Sequence, residues 1–165
     1  MDKYAKEILK ELLPEEKEVV APPPCKDAAP HADHWSPGIL LERARYLREL
    51  ARLGDGQASE TLKEYPGHFT MLSFRSRDGG AEWHERFADI FYVLSGKATL
   101  VTGGTIVGAQ TTGPGEMRGD RVEGGMRQEL RLGDVAHVPA GVPHQMLVSS
   151  EHNFSAFVVK VQETP

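Results

Sequence analysis

The chain has 165 residues, one domain's worth, and no run of its sequence approaches the ~20 apolar residues of a membrane span. It carries 19 basic and 24 acidic residues, a formal net charge of −5, which argues against a surface built to grip nucleic-acid phosphates. One cysteine excludes an internal disulfide, and 17 Gly with 11 Pro point to a fold rich in turns. The first thirty residues lack the apolar stretch of a signal peptide, so the expectation is a cytoplasmic protein.

Residues 2–13 read as a short helix, with Tyr4, Ile8, Leu9, Leu12 and Leu13 at helical spacing and Pro14 ending it. Residues 14–37 lose all periodicity and gather Pro22, Pro23, Pro24, Pro30 and Pro37, the composition of an extended linker. Within it, Cys25 lacks the neighbouring histidine a nucleophile needs, and His31, Asp33 and His34 read as solvated linker residues. Ser36-Pro37 resembles an N-cap followed by proline at the first helical position. A helix over 38–53 follows, with Ile39, Leu40, Ala44, Leu47, Leu50 and Ala51 as its apolar stripe and Gly54-Asp55-Gly56 as its stop. Residues 1–60 are therefore expected to form a helical and extended arm.

From Thr61 the pattern changes. Short β-like runs at 61–65, 69–75, 81–86, 88–94, 97–102, 128–132, 135–138, 144–149 and 154–162 alternate with glycine-containing turns. That spacing predicts an all-β sandwich or barrel over 61–165. The glycine-rich stretch Gly113–Gly125 reads as a long loop, a candidate lid or rim.

Two segments of this region carry chemistry. In Gly80–Gly96, strand alternation puts His84 and Arg86 on one face, about 6–7 Å apart. Asp89 shares the face of Phe91 and Val93. In Gly133–His144, Val135 and His137 share a face, and the turn Pro139–Pro143 delivers His144 to the next strand. Imidazoles and a carboxylate aimed into a barrel are costly unless paired or bound to metal. Two His and one carboxylate can supply the three-ligand face of an open metal site.

These segments resemble the two motifs of the cupin superfamily. The second motif is glycine, five residues, proline, one residue, glycine, two residues, histidine, and Gly133, Pro139, Gly141 and His144 fit it without a gap. In the first motif (His-x-His, three or four residues, Glu, six residues, Gly), His84 fits the first histidine, Asp89 the glutamate and Gly96 the glycine. On that reading Arg86 replaces the second histidine. The resemblance implies a double-stranded β-helix, or jelly-roll, barrel that pairs as a homodimer.

It also implies a divalent metal (Fe, Mn, Ni, Zn or Cu) on His84, His144, and Asp89 or His137, with a satisfied core histidine the other reading of His137. Gln145 faces away from His144 by parity. Arg86 has three open roles: pairing with Asp89, anchoring a substrate carboxylate, or turning outward. Phe91, Val93, Val135, Met146 and Phe157 are expected to line the barrel, and Arg86, Phe91 and Met146 to contact a small-molecule ligand. If the barrel is an enzyme, oxidoreductase, isomerase and lyase chemistry on a small anionic or carbonyl substrate are open. The alternatives are a metal-free small-molecule-binding module and a structural dimerisation barrel.

Overall fold

Ser36 caps the single helix among the described residues, its Oγ accepting from the Ile39 N–H at 3.3 Å, and Pro37 occupies the first turn. Helix α1 (Pro37–Leu53) stops at Gly54, as the sequence pattern predicts. The computed structural model describes residues 19–22, 32–149 and 151–163. The predicted helix 2–13, most of the proline-rich linker, Cys25 and His31 lie outside the described residues.

The buried stripe of α1 is Leu40, Arg43, Ala44, Leu47 and Ala51. Ile39 and Leu50 fall at its exposed margin instead. The apolar stripe packs on Leu72, Phe74 and Leu94 of the sheet beneath. Arg43 adds a two-pronged ion pair to Glu60, both contacts at 2.6 Å. The helix thereby covers the outer face of one sheet.

Twelve antiparallel strands follow among the described residues: β1 (Gln57–Tyr65), β2 (His68–Arg75), β3 (Ala81–His84), β4 (Phe87–Thr102), β5 (Thr105–Val107), β6 (Gln110–Gly113), β7 (Glu116–Gly119), β8 (Arg121–Glu123), β9 (Met126–Arg131), β10 (Val135–Val138), β11 (His144–Leu147) and β12 (Phe154–Gln162). The two runs predicted at 88–94 and 97–102 form one continuous strand, β4. Its first half pairs with β12 and β10, and its second half with β9 and β11. One strand thus belongs to both faces of the barrel and changes face at Gly96. The result is the all-β, curled antiparallel jelly roll expected from the motifs.

Between the faces lies a core of Val93, Leu100, Leu130, Val138, Met146, Phe154 and Val158. Alternation along β2 separates the two environments. Leu72 and Phe74 face α1, while Met71, Ser73 and Arg75 border the barrel interior. Two expected barrel-lining residues lie elsewhere. Val135 is 64% exposed, and Phe157 packs in the cluster under α1. The stretch Gly113–Gly125, expected as a loop, contains β7 and β8, and β7 pairs residue by residue with β3. No described helix is long and apolar enough to cross a membrane.

Candidate metal centre

Four donors from three strands meet at one end of the interior: Glu82 and His84 of β3, Asp89 of β4 and His144 of β11. Each offers one ligand atom, and these atoms all lie within 4.8 Å of one another. His84, Asp89 and His144 are 3%, 2% and 4% exposed. Strand geometry explains the grouping. Glu82 and His84 are two apart on β3 and share a face. His144 is the register partner of Glu82, which brings it alongside.

Both imidazoles are oriented from behind. His84 Nδ1 lies 2.6 Å from Glu116 Oε2, and Glu116 is its register partner on β7. His144 Nδ1 lies 3.1 Å from the Val142 carbonyl. A carbonyl only accepts, so Nδ1 carries a proton and Nε2 is the nitrogen turned to the cluster. That Nε2 is buried and has no hydrogen-bond partner. It points at Asp89 Oδ2, 3.3 Å away, and at Glu82 Oε2, 3.9 Å away. Carboxylate or carbonyl behind an imidazole, with the other nitrogen turned to the cluster, is the arrangement that holds histidine for a metal ion. The donor set of two imidazoles and two carboxylates suits one as well.

Lys160 of β12 also enters the cluster. Its Nζ donates to both Asp89 oxygens, at 2.7 and 2.8 Å, and lies 2.8 Å from His84 Nε2. Register places it there, because Lys160 sits opposite Asp89 across the β12–β4 ladder. Glu82 is held from the other side by Arg75, at 3.3 Å, and by Arg118.

These charges set the proton affinities. For Asp89, burial favours the neutral acid, but the imidazoles of His144 and His84 and the Lys160 ammonium outweigh it and hold the carboxyl well below its usual range. Glu82 is lowered in the same way: burial opposes, while His84, Arg118 and Arg75 prevail. For His84, burial and the Lys160 ammonium disfavour a second positive charge. Hydrogen bonding to Asp89 and Glu82 overcomes both and raises it to about 9.

A raised histidine contributes stability that is complete below its ordinary value of 6.5 and is lost as pH rises through about 9. With metal stripped by chelator, the melting temperature is therefore expected to fall across that window. A flat profile there would contradict the coupling.

The cluster opens onto a cavity of about 430 Å³. Phe91, Met146, Met71 and Val158 supply apolar walls, Ser59 and Ser73 hydroxyls, and Arg75, Arg118 and Lys160 positive charge. Phe91 and Met146 are thus placed on the cavity. Two other expected site residues are not. Arg86 is exposed in the bend after β3 and does not border the cavity. The strand ends at His84, so alternation cannot be carried on to residue 86. His137 is exposed on β10, opposite Ile90. It does share a face with Val135, but that face is the outer one.

Glu82, Glu116 and Lys160 belong to the cluster without being evident from the two motifs. Period-two spacing backward from His84 identifies Glu82. Lys160 shares parity with the interior residues Phe154 and Val158. Glu116 carried no sequence signal, lying in a stretch that reads as loop.

The sequence model of the family described as Cupin matches residues 79–165, just over half of the chain. The chain belongs to the cupin family. With Glu82 counted, the first cupin motif takes a different register from the one read above. Glu82 and His84 fill the two histidine positions, four residues intervene before Asp89, and six before Gly96. Arg86 then lies in the spacer, and the substituted position is the first histidine rather than the second.

Among solved structures, this cupin is similar to the DMSP lyase DddQ from Ruegeria pomeroyi at 19% identity and a TM-score of 0.48, covering 67% of this chain and 50% of that one. It therefore spans half the lyase's length. It is similar to TT1209 from Thermus thermophilus at 19% identity and a TM-score of 0.49, covering 70% and 95%. It is also similar to a putative mannose-6-phosphate isomerase from Ralstonia eutropha at 16% identity and a TM-score of 0.48, covering 66% and 87%. No curated protein matches the sequence.

Proposed function

We propose that this cupin holds one divalent transition-metal ion on His84, His144, Asp89 and Glu82 and uses it to take a small organic anion into the adjoining cavity. The observation that carries this reading is His144 Nε2, a buried ring nitrogen without a hydrogen-bond partner that faces two carboxylates. A buried polar atom left unsatisfied is costly, and a cation held between it and the carboxylates removes that cost. Arg75 and Arg118 take over the anion-binding role expected of Arg86, because they border the cavity and Arg86 does not. Phe91 and Met146 pack the apolar part of the ligand. When bound, the ion supplies Lewis acidity toward a ligand oxygen. Mixed nitrogen and oxygen donors suit Fe, Mn, Ni, Zn or Cu and do not choose among them. Oxidoreductase, isomerase and lyase chemistry all use such polarisation.

A second reading is favoured by Lys160. Its ammonium already answers the Asp89 carboxylate, which makes a metal-free anion-binding barrel self-consistent. Elemental analysis of protein purified without added metal separates the two. About one equivalent of a transition metal per chain is expected, because a preformed donor set retains its ion through purification. Under about a tenth of an equivalent, with no uptake on titration, would overturn the metal reading. A carboxylate-induced rise in melting temperature that survives chelator would then establish the second.

A further inference from the structure

We infer that the Lys160 ammonium is a tethered cation that holds the donor cluster in the absence of metal and must leave for the ion to bind, so that Lys160 sets the affinity of the site. This rests on the metal reading above. It starts from which atoms of the cluster the ammonium already contacts. Lys160 Nζ lies 2.7 and 2.8 Å from the two Asp89 oxygens and 2.8 Å from His84 Nε2. A metal would need those two Asp89 oxygens and that ring nitrogen at about 2.0–2.2 Å. An ammonium and a metal cannot share them, so binding must displace the lysine rather than add to it. His144 Nε2, which Lys160 does not reach, is the donor left without a partner.

The fold supplies both the anchor and the exit. The Lys160 backbone is locked opposite Asp89 by the β12–β4 ladder, so the amine returns to the same place whenever the site empties. Its side chain also borders the cavity and is 14% exposed. A four-carbon stem with a compact head can swing into that space by rotamer changes alone. Charge pushes in the same direction. With no ion present, the ammonium offsets Asp89, one of three carboxylates around His84. A divalent ion arriving beside it meets like charge at short range, where screening by salt is weak. The consequence is a site that stays assembled when empty and exchanges its metal more readily than its donors alone would allow.

The test is a Zn²⁺ titration in competition with a chromophoric chelator, comparing the wild type with Lys160→Met. The variant is expected to bind one zinc per chain at least about tenfold more tightly, since it removes the competing cation without changing a donor. In chelator it is expected to melt below the wild type, with zinc restoring the difference. Adding His144→Ala to Lys160→Met should abolish the gain, which places the zinc at the cluster. If Lys160→Met does not fold without metal, Lys160→Gln keeps a donor for Asp89, removes the charge and is read in the same way. Equal or weaker zinc affinity in the Lys160 variants, with normal binding by the wild type, overturns this inference and leaves the metal reading standing. No zinc uptake by either protein overturns both.

Discussion

His144→Ala is expected to lower zinc affinity about a hundredfold or more while leaving the melting temperature in chelator nearly unchanged, a combination that distinguishes a ligand from a core residue. Loss of a partner behind a metal-bound imidazole costs about 10–100-fold, so loss of the imidazole itself should reach at least the upper end of that range. The small effect on the empty protein follows from where the side chain sits. His144 borders the cavity already present, so truncation enlarges an open space and creates no sealed void in the core. It gives up one hydrogen bond, Nδ1 to the Val142 carbonyl, and its support of the Asp89 carboxylate, which His84 and Lys160 still hold, and it removes a buried Nε2 without a partner. Losses and gain are each about 1–3 kcal/mol and opposite in sign. Isothermal titration with zinc and thermal unfolding in chelator measure the two halves. A large fall in melting temperature with unchanged zinc affinity would make His144 a packing residue and remove the basis of the proposed site.

Gly96→Ala is expected to destabilise the protein by about 2–5 kcal/mol, adding left-handed backbone strain to overpacking against a fixed main chain. Gly96 has a φ of 75°, and a Cβ built there would lie 1.7 Å from the Asn153 carbonyl oxygen and 2.8 Å from its carbon. The obstacle is backbone at the entry to β12, so no side-chain rotation relieves it. Gly96 is also the point where β4 passes from one face of the barrel to the other, with Phe154 as its register partner. Moving Asn153 outward would drag Phe154, a fully buried core residue, along with it. Urea unfolding of the two proteins gives the difference. Since Asp89 and Lys160 hang from the same β4–β12 ladder, zinc affinity should fall as well. A loss under about 1 kcal/mol would mean that the crossover can shift without cost, against the range expected for such a clash.

The features legible in the sequence are those set by neighbours a few residues away. Ser36-Pro37 and Gly54 bound the helix because capping and proline act within one turn. Gly133, Pro139, Gly141 and His144 could be read together because one turn holds them all. Asp89 was placed inward from Phe91 and Val93, because alternation is reliable within an unbroken strand. The same rule failed at Arg86, where the chain bends directly after His84 and the alternation stops. It failed differently at His137. Parity grouped it correctly with Val135, but which face of β10 meets the core depends on what packs against it.

Lys160 and Asp89 are 71 residues apart, and only the β12–β4 register makes them neighbours. Glu116 stands behind His84 because β7 pairs with β3. The family, the β architecture and three of the four clustered donors are legible from local spacing. Tertiary structure alone decided the fourth donor, the oriented imidazoles and the resident ammonium. Each of those depends on contacts between strands distant in the chain, and no local periodicity encodes their register.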